Sequence, residues 1–247
     1  MSEKFEIFPI AFVRSEARFR AAAPRQAVFA KKGAFIEFIP DARLSLAAKD
    51  LEGFERIWLI GCFHLNLGQE WKAKVRPPVS ADGKRYGVFS TRAPHRPNAL
   101  ALSCVKLLKV TEKGLLVGPC DLLDGTPIFD IKPYLPEADA FPNSKAGWRD
   151  AVKGETPYKI TFARSTFKAL AAARKDGFDL RDFARLQLSF RPLDKKRKRL
   201  KKVGENYLIA CTLWRLLFSL DESKKRLRIL KVFHAGSNCE NSASLLE

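Results

Sequence analysis

Long hydrophobic runs are missing from this 247-residue sequence. The longest apolar stretch, Ile57–Phe63 ("IWLIGCF"), is strand-sized and far short of the ~20 residues that cross a bilayer. The opening "MSEKFEIFPI" carries early charges and no apolar signal core, so neither a targeting leader nor a membrane span is expected. Cysteine is sparse: Cys62, Cys104, Cys120, Cys211 and Cys239, odd in number and without a C-x-x-C pair. That excludes a disulfide framework and a zinc finger and points to a reducing cytoplasm. Three histidines, widely spaced, make no metal cluster, and no metal is expected. There is no G-x-G-x-x-G, Walker A, G-x-S-x-G or H-E-x-x-H segment, which removes the motif-bearing nucleotide, hydrolase and zincin sites.

Acidic residues are short in one half. The chain carries a net +18, with a pI near 9.9. Residues 1–144 hold 21 Lys and Arg against 16 Asp and Glu, while 145–247 hold 24 against 11. Seven basic residues crowd into Lys195–Lys202. Such an excess suits a polyanion, nucleic acid before membrane, although a solvated surface run has the same composition.

The first 135 residues read as short strands at close spacing: "FEIFPIAFVRS", "AVFAKKGAFIEFI" with a turn at Gly33, "RIWLIGCFHLN", "KRYGVFS", and a run from Leu100 to Pro133 punctuated by Gly114, Gly118–Pro119 and Asp124–Gly125. One short helix is expected in "LAAKDLEGF". This pattern predicts an antiparallel barrel or sandwich. After about residue 145 the composition changes. "KITFA" reads as a strand, "STFKALAAARKDG" as a helix capped by Ser165 and ended by Gly177, and "DLRDFARLQLSF" as a second helix. "YLIACTLWRLLFSL" and "KKRLRILKVF" read as a hairpin around "DES". The expected division is 1–145, a barrel domain, and 146–247, a smaller basic α+β domain.

Chemistry concentrates in four segments: "APRQ" (Ala23–Gln26), "GCFHLN" (Gly61–Asn66), "YGVFSTRAPHRPNALALS" (Tyr86–Ser103) and "DLLDGTPIFDIKPYLP" (Asp121–Pro136). Each has a plain reading. Arg25 suits a solvated loop, His64 a satisfied core histidine, Asp124–Gly125 a simple turn, and Asp130 with Lys132 a surface ion pair worth about 0–1 kcal/mol. Arg92 and Arg96 are harder to dismiss. Their loop is stiffened by Pro94 and Pro97, and a surface loop has no need of that stiffness. A loop that holds an anion in one geometry does.

Together these segments resemble the TsaA-like, or TrmO, family. "YGVFSTRAPHRPNALALS" is similar to that family's G-V-F-A-T-R-[SA]-P-x-R-P-N-P-[IL]-G-[LM]-S motif. "DLLDGTPIFDIKPYLPEAD" resembles its L-x-D-G-T-P-[LIV]-[LIV]-D-I-K-P-Y-x-P motif almost residue for residue. "IWLIGCFHLN" resembles its strand ending in F-H, and "APRQ" its P-[RC]-Q segment, in the same order over about residues 10–140.

The resemblance implies a mainly β protein: a single-sheeted, non-Rossmann, antiparallel β-barrel that works as a homodimer. It also implies an S-adenosyl-L-methionine-dependent methyltransferase acting on N6 of threonylcarbamoyl-adenosine next to the anticodon of tRNA. Pro24, Arg25, Gln26, His64, Leu65, Arg92, Leu102, Asp124, Gly125, Thr126 and Pro127 would then line the methyl-donor pocket. Asp130, Lys132 and Tyr134 are candidates for activating the acceptor nitrogen, and the sequence does not choose among them. Arg96 and His95 either fix their loop or face the RNA. Lys195, Lys196, Arg197, Lys198 and Arg199 are the expected grip on the tRNA backbone. Two features depart from the family: "RPNPIG" is "RPNALA" here, with Ala99, Leu100 and Ala101, and a D-P-R-P-x-Y segment gives way to "RPLDKKRKRL". These departures leave open a non-catalytic RNA-binding module of the same fold, or a methyltransferase with another acceptor.

Overall fold

The computed structural model describes residues 5–18, 30, 32–77, 84–152, 156–193 and 200–236. The chain divides into two compact units, Met1–Gly147 and Trp148–Glu247.

In chain order the first unit contains β1 (Ala11–Arg14), β2 (Ala34–Phe38), α1 (Ala42–Ala48), β3 (Arg56–Cys62), β4 (Lys74–Val75) and β5 (Tyr86–Gly87). It continues with β6 (Leu100–Thr111), β7 (Gly114–Val117), β8 (Pro127–Pro133) and α2 (Pro136–Asp139). Six strands close into an antiparallel barrel in the order β1-β2-β7-β6-β3-β8, and β4 pairs with β5 separately. Closure leaves these strands no free sheet edge. The barrel forms because apolar residues recur with period two. Along β6, Ala101, Val105 and Leu107 are buried while Leu100, Leu102 and Lys106 face out. The interior is filled by Ile36, Ile57, Leu59, Leu115 and Ile128, all fully buried, each worth about 1.5–3 kcal/mol of transfer free energy. The mainly β barrel expected from the sequence is what the chain forms.

Local chemistry moved several boundaries. The first strand covers only Ala11–Arg14, leaving Phe5, Ile7 and Phe8 exposed. The helix expected from Leu46 begins at Ala42, because the Asp41 carboxylate caps it by accepting from Arg43 N at 2.9 Å. A 3₁₀ turn, Lys49–Gly53, completes it. The strand expected through Ser90 ends at Gly87. Ser90 Oγ donates to Gly87 O at 2.8 Å and Thr91 Oγ1 to Val88 O at 2.8 Å, and these local bonds favour a 3₁₀ turn over Val88–Ser90.

The second unit contains β9 (Lys159–Phe162), α3 (Phe167–Lys175), α4 (Leu180–Leu188), β10 (Leu200–Val203), β11 (Asn206–Cys211), β12 (Trp214–Asp221) and β13 (Arg226–His234). Its sheet runs β10-β11-β12-β13-β9, antiparallel except for the parallel β13–β9 pair. Helix α4 is capped by Asp179, which accepts from Asp182 N at 3.1 Å, and buries Leu180, Phe183, Ala184 and Leu188 on one stripe. The expected hairpin is a meander. Thr212, at φ 51°, and Leu213 split "YLIACTLWRLLFSL" into β11 and β12. Ser165 does not cap α3. Thr166 occupies the cap position, and Ser165 Oγ donates instead to Leu230 O at 3.4 Å.

Candidate functional site

Three of the four motif segments meet at one end of the barrel's outer face. Strand β3 leaves the barrel at Cys62 and turns through a 3₁₀ segment, His64–Asn66. His64 Nδ1 and Thr126 Oγ1 lie 3.3 Å apart, within hydrogen-bonding reach, which joins "FHLN" to "DGTP". Asn66, almost fully buried, donates through Nδ2 to His95 Nδ1 at 3.3 Å, joining "FHLN" to the proline-stiffened loop. Thr126 is also buried. Leu65 is partly exposed beside them. Pro24, Arg25 and Gln26 lie outside the described residues, as do Lys195, Lys196, Arg197, Lys198 and Arg199.

The "DGTP" turn is pinned to β1. Asp124 N donates to Ala17 O at 2.9 Å, Gly125 N to Val13 O at 2.8 Å, and Val13 N to Thr126 O at 2.9 Å. The Asp124 carboxylate accepts from Ser15 N at 3.0 Å, so this side chain holds the turn's backbone. Gly125 has φ 74°, a left-handed conformation that L side chains rarely take, and open space stands where its Cβ would be. Behind the turn, Gly61 pairs with Ile128, and a Cβ there would meet Pro127 O at 2.5 Å. The close crossing of β3 and β8 therefore depends on glycine at that position.

Arg92 lies between fixed backbone points. Thr91 N donates to Val88 O at 3.1 Å and Ala93 N to Thr91 Oγ1 at 3.2 Å. Arg96 reaches back across the loop, its Nη1 donating to Thr91 O at 3.0 Å and Val88 O at 3.3 Å, with its guanidinium 5.6 Å from the centre of the Phe89 ring. Of the two readings left open by the sequence, these bonds are of the loop-fixing kind: Arg96 ties its own loop, and His95 ties it to Asn66. Arg92 itself is exposed, and among the described residues its side chain has no hydrogen-bond or ion-pair partner. The loop closes at Ala99, which has φ 47°, donates to Arg96 O at 3.3 Å and accepts from Phe63 N at 2.8 Å.

Strand pairing orders the remaining candidates in rows on the outer face. Ile60 of β3 pairs with Leu102 of β6 and with Asp130 of β8, so Leu102 and Asp130 flank one residue, about 10 Å apart across two strand spacings. Trp58 pairs likewise with Cys104 and Lys132. Lys132 Nζ and Asp130 Oδ2 form an exposed ion pair 3.1 Å apart. Tyr134 lies a further row away, where its N donates to Arg56 O at 3.0 Å and its ring centre sits 5.8 Å from that of Trp58. Trp58 Nε1 in turn donates to Asp139 Oδ2 at 2.9 Å, which holds that carboxyl below its ordinary value. Of the three acceptor-activating candidates, Asp130 shares the Leu102 row and Tyr134 is furthest from it.

Sequence reasoning missed several supports. Ile60 reads as core yet separates Leu102 from Asp130. Ser103 is buried and donates to the Asp121 carboxylate, tying the segment before "DGTP" to β6. Asp121 lies in the same motif as Asp124, which was the available signal. Among the described residues no group of three or more His, Cys, Asp or Glu side chains is placed to hold a metal ion, and no helix is long and apolar enough to cross a membrane.

Residues 12–140 match the family described as the tRNA-methyltransferase O N-terminal domain. A putative S-adenosylmethionine-dependent methyltransferase RcsF of Pseudomonas aeruginosa is 43% identical over 59% of this chain and 61% of its own length. A tRNA (adenine(37)-N6)-methyltransferase of Escherichia coli strain K12 is 31% identical over 83% of this chain and 88% of its own length. The chain spans just under two thirds of the two Pseudomonas relatives, 61% and 63%. Among solved structures, TrmO of Pseudomonas aeruginosa is 25% identical with a TM-score of 0.62, covering 94% of this chain and 99% of that one. A second TrmO crystal structure is 26% identical with a TM-score of 0.63, covering 93% and 99%. With its barrel, its motif residues and a relative of matching length in agreement, this chain belongs to the TrmO family.

Proposed function

We propose that the protein is an S-adenosyl-L-methionine-dependent tRNA methyltransferase, and that its acceptor is N6 of threonylcarbamoyl-adenosine beside the anticodon. The observation that carries this reading is the meeting of His64 with Thr126 and of Asn66 with His95, which gathers three family segments at one place. The E. coli and Pseudomonas relatives named above supply the reaction class.

The residues present fit the methyl donor. When bound, S-adenosyl-L-methionine supplies an electrophilic methyl on its sulfonium sulfur. Arg92, which has no acid partner among the described residues, suits a carboxylate through its planar fork. The Asp124–Pro127 turn offers backbone groups that Gly125 leaves open to close approach. Leu65 and Leu102, both exposed, give apolar surface to flank a ring. Pro24, Arg25 and Gln26 would complete the pocket, as the family resemblance implies.

Methyl transfer is an in-line displacement, so holding the acceptor nitrogen behind the methyl carbon supplies most of the acceleration. A urea-like nitrogen is a poor nucleophile until its proton leaves. Asp130, beside the Leu102 row, is the best placed of the three candidates to accept it. The target base lies in a single-stranded loop and reaches a pocket without opening a duplex. In this reading residues 1–145 hold the donor, and the basic 146–247 domain grips tRNA, through Lys195–Arg199 among others. The protein works in the cytoplasm as a homodimer, with a light-scattering mass about twice 27.9 kDa.

The deciding experiment incubates purified protein with S-adenosyl-L-methionine and tRNA and analyses the nucleosides by mass spectrometry. One added methyl on threonylcarbamoyl-adenosine is expected. Donor binding by calorimetry without any tRNA methylation would move the activity to another acceptor, and absence of donor binding would leave an RNA-binding module.

A further inference from the structure

The sheet of the second unit has two unlike faces. On one, Leu227, Ile229, Ile160 and Phe162 alternate inward, on the side where α3 meets β13 and α4 meets β9. On the other, β9 and β13 pair in parallel register, Arg226 beside Lys159 and Arg228 beside Thr161, all four exposed. Lys231 should not belong to this face. Two residues after Ile229, it would continue the inward series. The register shift between Leu217 and Phe218 removes Leu230 from the pairing, so that Phe218 faces Ile229 and Leu217 faces Lys231. This bulge turns Lys231 outward and sends Val232 into the core. The bulged Leu230 carbonyl is met by Ser165 Oγ at 3.4 Å, and Ile229 O accepts from Ala163 N at 2.9 Å.

The result is Lys159, Arg226, Arg228 and Lys231 on one exposed face, with no hydrogen bond or ion pair from any of their side chains among the described residues. Asp221, opposite Arg226 on β12, is the one acid paired into this face, and its carboxylate is occupied by Ser223 Oγ at 2.6 Å and Lys224 N at 3.0 Å. Leu208 and Leu217 are buried on the same side of β11 and β12, which confines the open area to β13 and β9. Like charges directly opposite on neighbouring strands destabilise a sheet. Arg226 beside Lys159 carries that cost, and among the described residues Asp221 is the single acid paired against the four cations. A polyanion would offset the positive charge that remains.

We propose that this β9–β13 face binds the phosphate backbone of RNA, through Lys159, Arg226, Arg228 and Lys231. The proposal rests on tRNA being the substrate and names residues other than Lys195–Arg199. Arg226 and Arg228 stand two residues apart, about 6.8 Å along β13, with Lys159 beside Arg226 and Lys231 next along the strand after the bulge, and this track carries no base-specific pattern. Binding at this face is therefore strongly salt-dependent and tolerant of sequence.

The test replaces all four residues with Gln in the full chain and measures tRNA affinity by filter binding at several salt concentrations. The slope of log K against log salt should flatten by about 2.8–3.6, since each phosphate contact contributes about 0.7–0.9. A second variant, Arg226→Lys with Arg228→Lys, keeps the charge and should keep the wild-type slope. S-adenosyl-L-methionine affinity should match wild type in both, and the melting temperature should not fall in either. An unchanged slope in a folded four-Gln protein overturns the proposal, and so does an equal loss in the Lys variant. If wild-type protein binds tRNA through this face yet methylates none, the catalytic reading fails and the face stands. If wild type methylates tRNA and the four-Gln protein equals it at every salt concentration, the face fails and the catalytic reading stands.

Discussion

Arg96 holds the carbonyl of Thr91 at 3.0 Å from five residues downstream, and the chain between them is drawn into a closed bracket around Arg92. Arginine thus plays two parts in one loop. Arg96 spends its donors on backbone oxygens and sits over the Phe89 ring, while Arg92 keeps all of its own.

Arg92→Ala should therefore weaken S-adenosyl-L-methionine binding without unfolding the protein. Loss of a charge-assisted hydrogen bond costs about 1.5–3 kcal/mol. Calorimetry checks the affinity and thermal melting checks the fold. A folded variant with wild-type affinity removes Arg92 from the site.

Gly125→Val should impair donor binding through the backbone. At φ 74° a β-branched residue is strained by about 1–2 kcal/mol, and the space around the position gives no steric reason for any other effect. Wild-type affinity and melting temperature together would show that the turn tolerates a side chain and is no surface of close approach.

Ala99 allows a sharper test of the loop. The family carries proline where this chain has Ala99, yet φ 47° is closed to proline, and the Ala99 N–H is in use at 3.3 Å from Arg96 O. Restoring the family residue, Ala99→Pro, should destabilise the protein. Ala99→Gly should stabilise it by up to about 1 kcal/mol by relieving the left-handed strain. Chemical denaturation measures both. A stabilising proline would mean that the loop takes another path.

Much of the barrel was legible because period-two alternation writes its faces directly into the sequence, as in Ala101–Leu107. Tyr86–Ser90 misled for a physical reason. Tyr86, Val88 and Phe89 favour a strand, but the Ser90 and Thr91 hydroxyls bond local carbonyls and turn the chain after Gly87. The candidate residues could be named from their motifs, while the contacts joining them could not. Nothing in the spacing of Asn66 and His95, or of Ser103 and Asp121, says that they touch. Positive φ at Ala99 and Thr212 left no mark, since neither is glycine or asparagine. The outward Lys231 depends on one bulged residue that no periodicity reveals.

Cysteine titration gives a pH-dependent prediction. Burial pushes the Cys120 thiol up to about 12 and the Cys211 thiol up to about 11, from an ordinary value of 9.0. Both stay protonated at neutral pH and should resist alkylation in the folded protein while reacting on unfolding. Because the folded values are raised, the associated stability is complete below about pH 9 and is lost as pH rises through 11 to 12. Mass spectrometry after iodoacetamide treatment at pH 8 checks the first statement, and melting temperature across pH 8–11 the second. Rapid labelling of Cys120 in folded protein would contradict its burial.

The pinning of the "DGTP" turn to β1 has a consequence for how the barrel stays shut. Strands β1 and β8 share only two residue pairs, Ala11 with Ile128 and Phe12 with Pro127, and the bonds of Gly125 and Thr126 to Val13, with those of Asp124 to Ser15 and Ala17 just beyond β1, extend that short seam. The segment proposed to meet the methyl donor is thus also the clasp of the cylinder. Under that proposal, occupying it would stiffen the closure, and strain at the closure would loosen the grip on the ligand. The amides of Val13 and Gly125, which face each other across this clasp, report both at once through their rate of hydrogen exchange.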